Sequence, residues 1–368
     1  MNLLMISGDR SLAAGKHGAF FNTIEGLHKH FDRIDIICPK IAVHRYNMQM
    51  FGNVFIHPSP WPLLLQPLWI RHIGKRLVRQ FGHQIATCHE YPPFYNGIGA
   101  RLLHRAVGIS YILEVMHVPG LPRAAGIRER LYCQLTRSLI AWDARPAVAV
   151  RVINEHQTPD FLMTAGVPRN KLIYAPAFYI DLDIFKPMAL PKRYDLAFVG
   201  RMATNKGIGL FLDVLERTGL IGVAVGDGPL LSWVRDQAKR RRLKLHTPGF
   251  VQASADVARY MNESRLLLMT ALNEGGPRVV LESAACGVPV VATPVGIVPD
   301  IFPPEAIEDW DADALADKVR NILSDSPLYD RLRQFGSHVA SNFERSTVLA
   351  MYIAMLKKMH NSTSGDHA

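Results

Sequence analysis

Cysteine is scarce in this chain, long apolar runs are missing, and one extended stretch carries no negative charge. The four cysteines, Cys38, Cys88, Cys133 and Cys286, lie far apart, with no CxxC pair and no histidine at zinc-ligand spacing. That excludes a disulfide scaffold and a zinc module. It suits reduced thiols in a cytoplasmic compartment, with small core side chains as the plain reading. No uninterrupted apolar segment reaches the ~18 residues that cross a bilayer. The most lipid-like one, Trp61 to Ile70, is broken by Pro62, Gln66 and Pro67. The opening residues, Met1 to Gly8, have neither a basic start nor a signal-length apolar core, so a first strand is expected there. No GxGxxG follows any candidate strand, which disfavours a nicotinamide-dependent dehydrogenase.

Between Asp35 and Glu90 there is no acidic residue at all. Residues 1–180 hold 20 Lys and Arg against 10 Asp and Glu, whereas residues 181–368 hold 22 of each, so the net charge of +10 belongs to the first half. Such one-sidedness points to an anionic partner, whether phospholipid, nucleic acid or a phosphorylated substrate; a merely soluble basic surface is the plain alternative. With 48% hydrophobic and 20% charged residues the chain is a folded globular protein, and its 368 residues suit two domains at ~100–200 residues each.

Short β-branched runs alternate with helical patterns. Strands are expected at Asn2–Ser7, Arg33–Cys38, Ile85–Cys88, Tyr111–Val115 and Ala147–Ile153, with helices near Phe20–His30, Arg71–Phe81, Gly99–Ala106 and Arg128–Leu139. Pro176, Pro187 and Pro191 interrupt the pattern, so residues 175–195 read as a linker. Alternation resumes with strands near 194–200, 221–225, 266–270 and 289–292 and helices near 208–218, 230–241 and 277–286. This predicts an α/β fold of two Rossmann-like domains with parallel sheets, 1–180 and 181–340, followed in 341–368 by a C-terminal helix that can return to the N-terminal domain and a frayed tail from Asn361.

Three loops carry the chemistry. In Asn273-Glu274-Gly275-Gly276-Pro277-Arg278-Val279-Val280-Leu281-Glu282 a strand ends in a Gly-Gly turn, and a helix starts with Pro277 at its first position. Free N–H groups and the helix dipole favour an anion such as a diphosphate there. Glu274 and Glu282 are placed to accept hydrogen bonds from sugar and ribose hydroxyls, since carboxylates repel phosphates. Two glutamates eight apart are by themselves unremarkable on a helix; the glycine pair and proline raise them above that. The second loop, Val199-Gly200-Arg201-Met202-Ala203-Thr204-Asn205-Lys206-Gly207, sets a forked and a point cation at the carboxyl end of a strand, suited to a diphosphate leaving group. A solvated basic loop is its plain alternative. The third, Val225-Gly226-Asp227-Gly228-Pro229, is a tight turn common to many folds.

Taken in order, Gly-Arg…Lys-Gly, Gly-Asp-Gly-Pro, Pro-Gly-Phe and Glu-x7-Glu before Ala-Cys-Gly-Val-Pro-Val-Val-Ala-Thr resemble the family 4 retaining glycosyltransferases of the GT-B fold. The resemblance is dense from Gly166 to Pro299 and diffuse before it. It implies two Rossmann-like domains facing across a cleft, with a nucleotide-diphosphate sugar as donor and neither cofactor nor metal. Arg201 and Lys206 would neutralise the departing diphosphate, Glu282 would hold ribose hydroxyls, and Glu274 those of the transferred sugar. Gly200, Gly226 and Gly228 would belong to the donor site, and Phe250 and Val251 would lie beside the base. Amides of Gly275, Gly276, Pro277, Arg278 and Val279 mark the phosphate-binding turn; Pro277 itself has no N–H. His117, after the strand that ends at Val115, would face the sugar, and the loop Gly15-Lys16-His17-Gly18 would cap the site. His17 stands where that family often has glycine. Retention follows if the acceptor attacks from the leaving-group face, so no protein base is assigned. Asp181-Leu182-Asp183 superficially matches a metal-binding DxD, but linker chemistry is the better reading.

The basic half adds an acceptor-side expectation. Trp69, Ile70, Ile73, Leu77 and Phe81 fall on one arc of a helix opened by Pro67, with Arg71, Lys75 and Arg79 opposite. Such a helix can lie on an anionic membrane, although packing its apolar face onto a sheet is the plainer reading; the basic half as a whole still leads us to expect peripheral association with anionic lipid at the inner face of the membrane. The leading function is glycosyl transfer to a glycan or lipid-linked acceptor in polysaccharide or glycoconjugate synthesis. The alternatives are a nucleotide-sugar epimerase or phosphorylase-like enzyme, and a non-catalytic binder of membrane or nucleic acid.

Overall fold

The computed structural model describes residues 1–42 and 49–365. Two compact units emerge. The first takes Met1–Val118, Leu131–Ala177 and the chain from Leu349 onward; the second takes Pro119–Arg130 and Phe178–Val348.

In the first unit the strands are β1 (Asn2–Ile6), β2 (Arg33–Cys38), β3 (Gln49–Met50), β4 (Val54–Pro58), β5 (Ile85–His89), β6 (Tyr111–Val115), β7 (Ala149–Val152) and β8 (Leu172–Tyr174). They form one sheet in the order β3-β4-β2-β1-β5-β6-β7-β8, with only β3 antiparallel to its neighbour. Leu3, Leu4, Ile34, Ile37, Ile112 and Leu113 are wholly buried. That explains why these strands read as continuous apolar runs: a parallel sheet covered by helices exposes neither face. Helices Gln66–Phe81 and Tyr95–Val107 pack closely because glycines meet leucine and isoleucine, Gly74 against Leu103 and Gly99 against Ile70.

The second unit contributes β9 (Tyr194–Val199), β10 (Gly222–Val225), β11 (Leu245–Gly249), β12 (Ser264–Met269) and β13 (Val290–Ala292). Their order, β11-β10-β9-β12-β13, is entirely parallel, and Leu196 of β9 pairs with Gly222 on one side and Leu266 on the other. The order reverses between β9 and β12, and such a switch point opens a crevice at the carboxyl ends of the strands. Phe198, Phe211, Leu212, Val280 and Leu281 fill the core beneath it.

Several expectations need correction. β4 and β11 are absent from the sequence reading because each contains proline, Pro58 and Pro248, which reads as a breaker. β11 is an edge strand, where a missing N–H is tolerated, and Pro58 is the last residue of β4. The stretch expected to be a linker is, from Phe178, part of the second unit: the Ile180 N–H donates to Phe343 O at 2.8 Å and the Met188 N–H to Asn262 Oδ1 at 2.7 Å. Asp181 there accepts the Asp183 N–H at 3.0 Å, a local turn. Among the described residues no group of His, Cys, Asp and Glu could hold a metal ion.

The apolar arc of helix Gln66–Phe81 faces inward, with Ile70, Ile73 and Leu77 buried, so this arc packs in the fold and cannot also lie on a membrane. Helix Arg345–Gly365 runs unbroken past Asn361, where fraying was expected, and residues 366–368 lie outside the described residues. No described helix is long and apolar enough to cross a membrane.

Candidate active site

Three loops at the switch point of the second sheet stack backbone upon backbone. After β9, the Gly200 N–H donates to Val225 O and the Met202 N–H to Asp227 O, both at 2.9 Å. This close approach requires glycine opposite: a Cβ on Gly226, at φ +136°, would run into the Gly200 carbonyl, and one on Gly228 would lie 2.6 Å from Met202 O. The space left is a cavity of about 500 Å³ lined by Gly200, Arg201, Gly226, Asp227, Gly228, Phe250, Val251 and flanking valines. Phe250 is 73% exposed, an aromatic face offered at the mouth rather than to the core.

Lys206 sits on the short turn Thr204–Lys206, and Gly207, at φ +67°, passes the chain into helix Ile208–Thr218. The Thr270 hydroxyl donates to Gly207 O at 2.9 Å and the Leu272 N–H to Asn205 O at 2.8 Å, tying the loop after β9 to the loop after β12. These ties bring Lys206 Nζ onto Glu274 Oε1 as an ion pair. Burial, reinforced by the Arg201 charge, pulls the Lys206 ammonium below its ordinary pKa.

Helix Arg278–Ala285 follows. Pro277 is its N-cap rather than its first residue and makes no side-chain capping hydrogen bond; the Val280 N–H donates to Pro277 O at 3.1 Å. Neither Gly275 nor Gly276 has positive φ; Gly276 is needed because the Phe178 ring occupies the place of a side chain. The conformational demand falls instead on Gly296, at φ +55°, pressed against the carbonyls of Glu274 and Gly275. Glu282 is buried and paired with Arg278 at 2.7 Å; burial raises its pKa while Arg278 opposes the rise. The structure thus groups Arg201 with the glycine turns and Phe250, Lys206 with Glu274, and Arg278 with Glu282.

His117 and Gly18 belong to the first unit. His117 is half-buried two residues beyond β6, and Gly18 is the extended N-cap of helix Ala19–Leu27. His17 is exposed and stacks on Phe21, its ring centroid 4.0 Å away, so its side chain is occupied by its own helix.

Sequence reasoning gave Asn273 no role. It is 1% exposed, and its amide donates to Arg123 O at 2.8 Å and Glu129 Oε2 at 2.9 Å. Trp310 Nε1 donates to Ala271 O at 2.8 Å and completes the buttress. These partners lie far away in the chain, and no spacing rule reveals them.

Residues 181–339 match the model of the family described as "Glycosyl transferases group 1". The match lies within the second unit and covers less than half of the chain. The matched stretch contains Arg201, Lys206, Phe250, Glu274, Arg278 and Glu282, whereas Arg123, Glu129, Phe178, Ile180 and Phe343 of the same unit lie outside it. Over 339 residues, 88% of this chain and 92% of the relative, the protein is 22% identical to an uncharacterized glycosyltransferase of Methanocaldococcus jannaschii. Sucrose-phosphate synthase from Thermosynechococcus elongatus shares its fold with a TM-score of 0.80 at 16% identity, over 98% of this chain and 99% of that one. Anabaena HepE, solved in complex with UDP-glucose, follows at a TM-score of 0.72 and 16% identity, over 97% and 99%. The expected GT-B fold, with its two parallel-sheet units, is borne out.

Proposed function

We propose that the protein is a retaining family 4 glycosyltransferase of the cytoplasm. It moves a sugar from a nucleotide-diphosphate donor to a glycan or lipid-linked acceptor in polysaccharide or glycoconjugate synthesis. The observation that carries this reading is the half-buried Lys206–Glu274 ion pair at the switch point, beside a glycine-walled cavity with an exposed aromatic mouth. The cavity takes the nucleotide, with Phe250 and Val251 at the base and Glu282 on the ribose hydroxyls. Glu274 accepts hydrogen bonds from the sugar. The UDP-glucose held by the Anabaena neighbour supports a nucleotide sugar as ligand.

The chemistry then follows from charge. As the anomeric C–O bond breaks, its electron pair moves onto the diphosphate and the sugar becomes oxocarbenium-like. Arg201, Lys206 and the amides of Gly275, Gly276, Arg278 and Val279 are fixed where that negative charge grows, and preorganised donors of this kind supply the largest part of many rate enhancements. The acceptor hydroxyl attacks from the face the diphosphate leaves and passes its proton to a phosphate oxygen, so the configuration is retained without a protein base. His117 is assigned to the sugar from the first unit, and Gly18 to the loop that caps it. With protein cations serving the diphosphate, this reading requires no metal, and activity is expected to survive chelator.

A thermal-shift panel of UDP, GDP and ADP sugars tests the proposal. One donor class should raise the melting temperature, Lys206→Ala should abolish that rise, and Glu274→Ala should keep the response to bare nucleotide while losing discrimination between sugars. An epimerase would turn over the donor with no acceptor, and a protein unmoved by every nucleotide sugar would refute the assignment.

A further inference from the structure

Helix Gln66–Phe81 has a second face, the one its buried arc leaves outside. Leu68, His72, Lys75 and Arg79, spaced four, three and four residues apart, share it. It begins with leucine and continues with cations. Immediately before the helix, the turn Leu63–Leu65 extends the apolar end: Leu64 is 74% exposed and Leu68 49%, with Trp61, Leu63 and Leu65 each more than a third exposed. Trp61 leans edge-on against Trp69 at 5.5 Å and lies 6.1 Å from His72, at the join between the leucines and the cations. Beyond that join His72, Lys75, Arg76 and Arg79 line an open depression of about 530 Å³. No carboxylate occurs in the sequence from Ile36 to His89 to neutralise it.

We infer that this face docks on an anionic lipid bilayer, with Leu63, Leu64, Leu65 and Leu68 entering the acyl boundary and the cations of the depression receiving lipid phosphates. Exposed aliphatic side chains in a contiguous group favour being covered, whereas scattered ones do not matter. A bilayer offers apolar depth beneath a plane of negative charge, and indole rings settle at the boundary between the two. The face presents leucine, tryptophan and cation in that sequence. A nucleic acid matches the cations and leaves the leucines in water; a second copy of this chain brings cation against cation. The inward arc Ile70, Ile73 and Leu77 holds the helix on the fold, so docking requires no unfolding. This inference is independent of the glycosyltransferase reading, because the binding is measured without donor or acceptor.

Flotation of the full chain with vesicles of phosphatidylcholine alone, or of phosphatidylcholine mixed with phosphatidylglycerol, provides the test. The protein should float only with the mixed vesicles and be released as salt is raised. Leu64→Glu with Leu68→Glu should abolish flotation. Arg76→Glu with Arg79→Glu should lower partitioning by about tenfold or more. Arg240→Glu, an exposed cation of the second unit, should leave it unchanged. All substituted side chains are at the surface, and unchanged melting temperatures confirm that the variants fold. Equal flotation with both vesicle types, or indifference to the leucine pair, overturns the inference. So does a dimer in sedimentation that the leucine substitutions dissolve while wild-type protein ignores vesicles, since the face then belongs to a second copy.

Discussion

Glu90 and Asp143 show how a single glycine can decide the titration of two acids. Both carboxyls are buried in the first unit and converge over Gly97, where a side chain would displace them. Burial first, and then the charge of Asp143, pushes Glu90 well above the ordinary carboxylate range; burial pushes Asp143 up to about 7, against Arg101. The folded pair therefore keeps protons that the unfolded chain releases near pH ~4. Stability from this pair is greatest below that pH and is lost as pH rises, through about 7 for Asp143 and onward through the raised pKa of Glu90. The urea midpoint should accordingly fall between about pH 5 and pH 7, and fall less steeply in Glu90→Gln. Superimposable pH curves for the two proteins would show that the fold does not hold Glu90 protonated.

At the scale of elements, the C-terminal helix is fastened to the first unit by a buried knot. Arg151, on β7, donates to Glu114 Oε1 of β6 at 2.7 Å and to the carbonyls of Ala175 and Pro176 at 2.9 and 2.6 Å. Its guanidinium lies 3.9 Å from the centroid of the Tyr352 ring, and the Tyr352 hydroxyl closes the circuit on Glu114 at 2.8 Å. Removing one member of a buried pair strands the other in low dielectric. Arg151→Met should thus cost about 3–5 kcal/mol in urea denaturation, while Tyr352→Phe, which deletes one hydrogen bond, should cost about 1–2 kcal/mol. A loss under ~1 kcal/mol for Arg151→Met would mean that water reaches Glu114.

For the whole molecule, two separate cores predict a divided response to ligand. A nucleotide sugar contacting Arg201, Lys206 and Glu274 stabilises the unit that holds them by mass action. Hydrogen exchange in the presence of the favoured nucleotide should slow first in residues 199–207, 226–229 and 273–282. It should slow also in 119–130, because Asn273 ties that segment to the loop after β12. Asn273→Ala should uncouple 119–130 from the effect while leaving the nucleotide-dependent protection around Gly226. Uniform slowing throughout both units would contradict the division.

Local periodicity and turn chemistry carried a great deal. β2, β6 and helix Ile208–Thr218 have the bounds read from sequence, since apolar runs closed by glycine or charge leave few alternatives. The loops holding Arg201, Lys206 and Glu274, and the helix start that carries Glu282, were legible for the same reason: each loop follows a strand and leads into a turn or helix within ten residues. Tertiary structure alone decided which groups meet. That Lys206 reaches Glu274, that Asn273 is held by Arg123 and Glu129, and that Arg151 stacks on Tyr352 depends on strand order and chain crossings, which local pattern does not encode. It also decided which side of helix Gln66–Phe81 is inside. A helix with apolar residues on more than one face buries the one that fits Leu103 and Ile70 against glycine, and leaves the other to solvent or to a partner.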